Sequence, residues 1–263
     1  MCGEYRRLIH IYEYICTFFK FLRTREIINS ITNFNFMWLI DSSIGRKVVM
    51  SVTGAALILF LTFHMAMNCA ALFSAEAYNA ICEFLGANWY ALVGTAGLAV
   101  LMVLHFVFAF WLTIQNRKAR GNVRYAVSER PKSVEWASQN MLVLGIIVFV
   151  GLLVHFANFW SKMQLQELMG TQAIVNGVAV APTDGAALIE YTFSQWYIVL
   201  IYTVWLAALW FHLSHGFWSM FQTIGWSGSK WQRRWQVIGN IYVTLVILGF
   251  LSVVYFYFFK SLC

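Results

Sequence analysis

The chain has 263 residues, 60% of them hydrophobic and only 11% charged, with a formal net charge of +7. That balance excludes a soluble enzyme, because apolar runs of about 20 residues or more read as membrane-spanning helices. The surplus of cations is explained by their placement between these runs and needs no nucleic-acid partner.

The first 36 residues mix Arg6, Arg7, Lys20, Arg23 and Arg25 with aromatic and isoleucine residues. This stretch is too charged to span a bilayer, and no small-residue cleavage site follows it, so a secretory leader fits poorly. It reads either as a basic interfacial helix or as sequence upstream of a true start at Met37. His10 falls within it and stands outside the ligand argument below.

Residues 37–263 carry five predicted spans, at 48–73, 91–116, 138–161, 195–220 and 236–259. The expected fold class is an all-α integral membrane protein with five transmembrane helices, the first four forming a bundle. The loops are short, so chemistry on a polar substrate would fall to another polypeptide. Both prolines, Pro131 and Pro182, lie between spans. A non-haem transporter would instead call for interrupted helices with interior charges.

Charge sets the orientation. Arg46 and Lys47 precede the first span. Arg117, Lys118, Arg120, Arg124, Arg130 and Lys132 lie between the second and third, and Lys230, Arg233 and Arg234 between the fourth and fifth. The other two loops hold no basic residue except Lys162, which has Glu167, Asp184 and Glu190 for company. Lysine and arginine accumulate on the cytoplasmic side, so the amino terminus is expected in the cytoplasm and the carboxyl terminus outside.

The five cysteines, Cys2, Cys16, Cys69, Cys82 and Cys263, show no C-x-x-C spacing. An iron–sulfur cluster, a zinc site and a thioether-linked haem are therefore not expected on this chain.

Each of the first four spans contains a histidine: His64, His105, His155 and His212. Imidazole in hydrocarbon is costly, since its nitrogens find no water. Four such residues call for a ligand that uses imidazoles in pairs, most simply the iron of two b-type haems. The alternatives are four histidines each bonded to a carbonyl or hydroxyl, or a proton or ion pathway. Helical rise sorts the four by depth: His64 lies about 25 Å from the cytoplasmic end of its span, His105 about 17 Å and His212 about 14 Å, with His155 near the depth of His64. The expected pairs are His64 with His155 near the outer face and His105 with His212 near the inner face. Each pair comes from alternating helices, placed diagonally in a bundle. His215, three residues beyond His212, is a rival ligand that depth alone does not dismiss.

Two motifs carry a resemblance. The first span reads S-x-x-G-x-x-L-x6-H as Ser51, Gly54, Leu57 and His64, and the fourth reads F-H-x-x-x-G-[LF]-[WY] as Phe211, His212, Gly216, Phe217 and Trp218. From about Met37 to its end the chain resembles the di-haem cytochrome b subunit of succinate:quinone oxidoreductases, the succinate dehydrogenases and fumarate reductases. The second motif favours His212 as the iron ligand and leaves His215 a supporting or propionate-binding role. The resemblance places Ser51 and Trp136 near the propionates of the inner haem. Gly54 and Gly216 would let a porphyrin or a helix approach closely, whereas Gly94, Gly97 and Gly145 read equally well as ordinary helix-packing residues. It also implies a flavoprotein subunit and an iron–sulfur subunit docked on the basic loops, with the whole complex open to dimerisation. Electrons would pass to or from a membrane quinone, commonly menaquinone, in a bacterial cytoplasmic membrane. Glu83 is the expected quinone-site carboxylate, with Glu76 the alternative. One departure stands out: a glutamate that some relatives carry two residues before the fourth-span ligand is Trp210 here, which argues against a transmembrane proton path of that kind. A di-haem cytochrome serving another dehydrogenase is the runner-up, although its ligands typically crowd onto fewer helices.

Overall fold

The computed structural model describes residues 41–121 and 135–263. The expectations for residues 1–36, for Met37 and for Arg124, Arg130 and Lys132 lie outside the described residues. Backbone contacts divide the chain into two compact units, Met1–Arg46 and Lys47–Cys263. In the first, the Gly45 amide donates to Ser42 Oγ at 2.8 Å. The architecture below belongs to the second.

Five long helices dominate. Helix α1 (Ser43–Cys69) continues as a 3-10 turn, Ala70–Leu72. Between it and α3 (Trp89–Arg120) lies a short α2 (Ala75–Phe84). Next comes α4 (Trp136–His155), which runs into a π-helical turn, Phe156–Trp160. After a structured connection follow α7 (Trp196–Thr223) and α8 (Ser229–Leu262). The five apolar segments measure 25 to 34 residues. At about 1.5 Å per residue, even the shortest exceeds a hydrocarbon core of about 30 Å. This is a multi-pass helical protein of membrane-spanning dimensions.

The helices outrun the predicted spans because hydropathy marks only the part that lipid would cover. Helix α3 continues past residue 116 through Arg117, Lys118 and Arg120, all of them residues a helix tolerates. It ends at Gly121, where φ is +70°. Helix α8 likewise begins at Ser229 and carries Lys230, Arg233 and Arg234 in its first two turns.

The connection after the π turn corrects the expectation of short loops, while the chain remains mostly helical. It contains α5 (Gln164–Met169), an antiparallel hairpin of β1 (Ala173–Val175) and β2 (Val178–Val180), and α6 (Gly185–Phe193). The hairpin closes on Asn176 and Gly177, both with positive φ (54° and 80°). Asn-Gly is the pair that such a two-residue turn prefers. This connection and α2 build a cap over one end of the bundle. Ser74 starts α2 by accepting from the Ala77 amide at 3.1 Å, an N-cap contact. Asn79 then joins the two halves of the cap, donating to Asp184 Oδ1 at 2.8 Å and accepting from the Ala186 amide at 2.9 Å. Gly185 permits this approach, because a β-carbon there would lie 2.5 Å from Cys82 Sγ.

The tightest packing is between α7 and α8. Val199, Tyr202, Leu206, Leu209 and Leu213 face Val243, Ile247, Val253 and Val254 in one buried cluster. Polar ties run through it: the Trp210 indole donates to Thr244 Oγ1 at 2.9 Å, and Thr203 Oγ1 meets the Tyr255 hydroxyl at 3.0 Å. Tyr257 reaches the far end of α1, donating to Ala71 O at 2.9 Å, and the Thr62 and Tyr242 hydroxyls bond to each other. Helices α1, α3 and α4 bury few of their apolar side chains within the chain.

Candidate functional site

Two pairs of histidines meet inside the bundle. His64 of α1 and His155 at the end of α4 have ring centres 5.8 Å apart, with planes 86° to each other. His105 of α3 and His212 of α7 have ring centres 6.4 Å apart at 67°. These are the same partners that helical rise matched by depth. Thr53, which touches His105, lies 11 residues before His64 on α1. The two pairs are therefore about 16 Å apart along the helix axis.

The pair nearer the cap is walled by aromatic rings. Phe60 stacks on His64 with ring centres 5.4 Å apart, and Phe250 of α8 approaches the same ring at 5.8 Å. Around His155 stand Phe159 at 5.2 Å, Trp205 at 5.7 Å and Tyr202 at 6.3 Å. Trp205 is held from two sides. Its indole donates to Val148 O at 3.0 Å, and its ring lies flat on Gly151, where a β-carbon would come within 2.0 Å of Trp205 Cδ1. The π turn begins directly after His155, so the Ser161 amide donates five residues back to Phe156 O at 2.9 Å. Such turns are rare and concentrate at functional positions.

From the cap, Tyr78 reaches this pair by relay. Its hydroxyl donates to Asn68 Oδ1 at 3.0 Å, and Asn68 Nδ2 donates to His64 O at 2.8 Å while lying 3.4 Å from His64 Nδ1. Burial pushes the Tyr78 hydroxyl well above its usual range, so it stays a proton donor. Burial also raises the Cys82 thiol, from its usual 9.0 to about 11.

At the other pair, Thr53 Oγ1 lies 3.1 Å from His105 Nδ1. Gly54 faces the same ring: a β-carbon there would meet His105 Cε1 at 3.5 Å. Gly145 of α4 does the same for His212, at 3.8 Å from Cε1. Beyond this pair, His215 turns to a different partner. Its Nδ1 is 3.6 Å from Glu135 Oε2, and the same oxygen accepts from the Trp218 indole at 3.2 Å.

None of the four paired rings donates to a helix carbonyl among the described residues. Nδ1 of both His155 and His212 is buried without a hydrogen-bond partner. Leaving a buried polar group unsatisfied costs about 1–3 kcal/mol, so these rings are not explained by ordinary helix packing. An imidazole nitrogen sits about 2 Å from a metal it ligates, which puts the ring centres of two imidazoles flanking one ion roughly 6 Å apart. Both observed separations match that spacing. The described residues form no cluster of three or more histidine, cysteine or acidic side chains that could hold a metal ion; the histidines come in twos.

Of the other expected residues, Trp136 is exposed at the start of α4 and packs its ring against Phe211 at 5.2 Å. Ser51 is half-buried in α1. Nothing approaches within 4 Å of a β-carbon at Gly216, so no neighbouring helix uses that gap. Glu83 is exposed on α2, and Glu76 is taken up at the helix start by the Ser74 hydroxyl at 2.7 Å. Sequence reasoning passed over Thr53, Asn68, Tyr78, Trp205 and Glu135, which are ordinary residues in a helical sequence until folding sets them against a histidine. The π turn has no sequence signal.

The fold and site together define a class: a multi-pass helical membrane protein with two pairs of half-buried imidazoles spaced along its axis. No family model, curated protein or solved structure matches this chain.

Proposed function

We propose that the protein is the membrane anchor and di-haem b subunit of a succinate dehydrogenase or fumarate reductase, passing electrons between an iron–sulfur subunit and a membrane quinone. The observation that carries this reading is the pairing of four half-buried histidines, from four helices, at separations of 5.8 and 6.4 Å. His64 and His155 would hold the outer haem, His105 and His212 the inner one. A haem held by these pairs would supply reversible one-electron chemistry.

The chain's own residues do the rest. The aromatic wall of Phe60, Phe159, Tyr202, Trp205 and Phe250 keeps water from the outer pair, which lowers the local dielectric. Tyr78, through Asn68, locks the backbone of α1 at His64. Trp210, in the position where some members of the resembled family have a glutamate, gives its indole proton to Thr244. None of the five long helices carries an acidic residue, so none of them offers a carboxylate for a transmembrane proton path of the kind that glutamate would provide. The cytoplasm-facing end is the one carrying Lys47, Arg117, Lys118, Arg120, Lys230, Arg233 and Arg234. There a flavoprotein and an iron–sulfur protein would dock, with the membrane being that of a bacterial cell. Glu83 would exchange protons with quinol, commonly menaquinol, at the capped end.

The test is the haem content of the purified complex by pyridine haemochrome. Two b-type haems per chain are expected. His64→Ala and His155→Ala should lose the same haem, His105→Ala and His212→Ala the other, and His215→Ala neither. A parent protein free of haem refutes the proposal. Co-purification of a covalent flavoprotein and an iron–sulfur protein assigns the complex.

A further inference from the structure

The four paired histidines are not equivalent. His155 and His212 have no partner at Nδ1, and His64 has only an amide donor at 3.4 Å. His105 alone has a hydroxyl on Nδ1, that of Thr53 at 3.1 Å. Thr53 is 3% exposed, so water does not compete for this contact.

The direction of the hydrogen bond follows from counting protons. Thr53 Oγ1 also lies 2.8 Å from Val49 O and 3.2 Å from Met50 O, four and three residues back on α1. Carbonyl oxygens only accept, and a hydroxyl owns one proton while offering two lone pairs. The Thr53 proton therefore goes to the carbonyls, in the back-bonded rotamer that threonine commonly takes in helices. The remaining contact requires the His105 Nδ1–H to donate to Oγ1. With the proton on Nδ1, the lone pair of His105 lies on Nε2.

We propose that Thr53 is a positioning residue that fixes His105 in the Nδ1–H tautomer and presents Nε2 as a metal ligand of raised basicity. The proposal rests on the haem reading above. A hydrogen bond accepted from the far nitrogen orients a ligating imidazole and makes it a stronger donor. A stronger donor favours the more oxidised iron, so Thr53 holds the inner haem at a lower potential than an unsupported His105 would. Gly54, the next residue, leaves room for the ring: a β-carbon would stand 3.5 Å from His105 Cε1. The contact joins residues 52 apart in sequence, and is one α1 can make only by packing against α3.

The experiment is a spectroscopic redox titration of the purified complex, comparing Thr53→Val, Thr53→Ala and Thr53→Ser. Valine keeps the shape, alanine keeps the helix, and serine keeps the hydroxyl. Valine and alanine are expected to raise one of the two haem potentials, or to weaken retention of that haem by about 10- to 100-fold, and to leave the other haem as in the parent. Serine should match the parent. Two haems at parental potentials in both the valine and alanine variants would overturn the role of Thr53 while leaving the di-haem reading intact. A serine variant altered as much as valine would overturn it too, because the methyl group and not the hydroxyl would then be responsible. A parent without haem overturns the function first and this inference with it.

Discussion

Gly151→Ala is the sharpest probe of the histidine pair nearer the cap, since it touches no histidine and adds a single methyl group. That methyl would lie 2.0 Å from Trp205 Cδ1, 2.2 Å from Cγ and 2.3 Å from Nε1. Ordinary contact begins at 3.4 Å, so the indole ring must retreat by about 1.4 Å. The ring has no free path: Tyr202 stands at 5.5 Å and His155 at 5.7 Å between ring centres. Overpacking of this kind costs about 1–3 kcal/mol. The retreat also breaks the 3.0 Å bond from the Trp205 indole to Val148 O, a further loss of about 0.5–1.5 kcal/mol. The expected total is roughly 2–4 kcal/mol, with the displaced indole pressing on His155. Thermal unfolding in detergent should show a clear drop in midpoint, and, on the proposed di-haem reading, the spectrum of one haem alone should shift. Gly151→Ser should behave at least as badly, because it adds an oxygen to the same clash. A Gly151→Ala protein with parental stability and both haem spectra unchanged would refute the packing argument.

Other outcomes follow from the same structure. Glu83→Gln should leave both haems in place and cut quinol turnover by about 100-fold, the low end for a general acid–base group; unchanged turnover removes Glu83 from the quinone site. The Cys82 thiol sits at about 11 in place of its usual 9.0, chiefly because it is buried. A raised acid is held in its neutral form, so the stability it lends is present below the usual value and is lost as pH climbs toward 11. At pH 8 its thiolate fraction, and hence its alkylation by iodoacetamide, should be about 100-fold below that of a thiol with the usual value, at tenfold per unit. Site-resolved mass spectrometry showing Cys82 labelled as fast as the exposed Cys263 would contradict this.

The sequence by itself determined the five spans, and it ranked the histidines by depth. Both are linear properties: hydropathy is summed along the chain, and depth is residue number multiplied by a fixed rise. That is why His64 could be matched with His155, and His105 with His212, before any contact was known. Neither rule describes what happens between helices. Only packing brought Thr53 of α1 to His105 of α3 and laid Trp205 on Gly151, and only folding of the cap carried Tyr78 to Asn68. His215 illustrates the same limit: depth left it a rival of His212, and its place beside Glu135 depends on how α4 meets α7. The connection around the hairpin was also hidden, although Asn176-Gly177 spelled the turn, because three-residue strands carry too little periodicity to read. What lies along a helix was legible in the chain; what lies across the bundle was decided by side chains from distant residues competing for the same few ångströms.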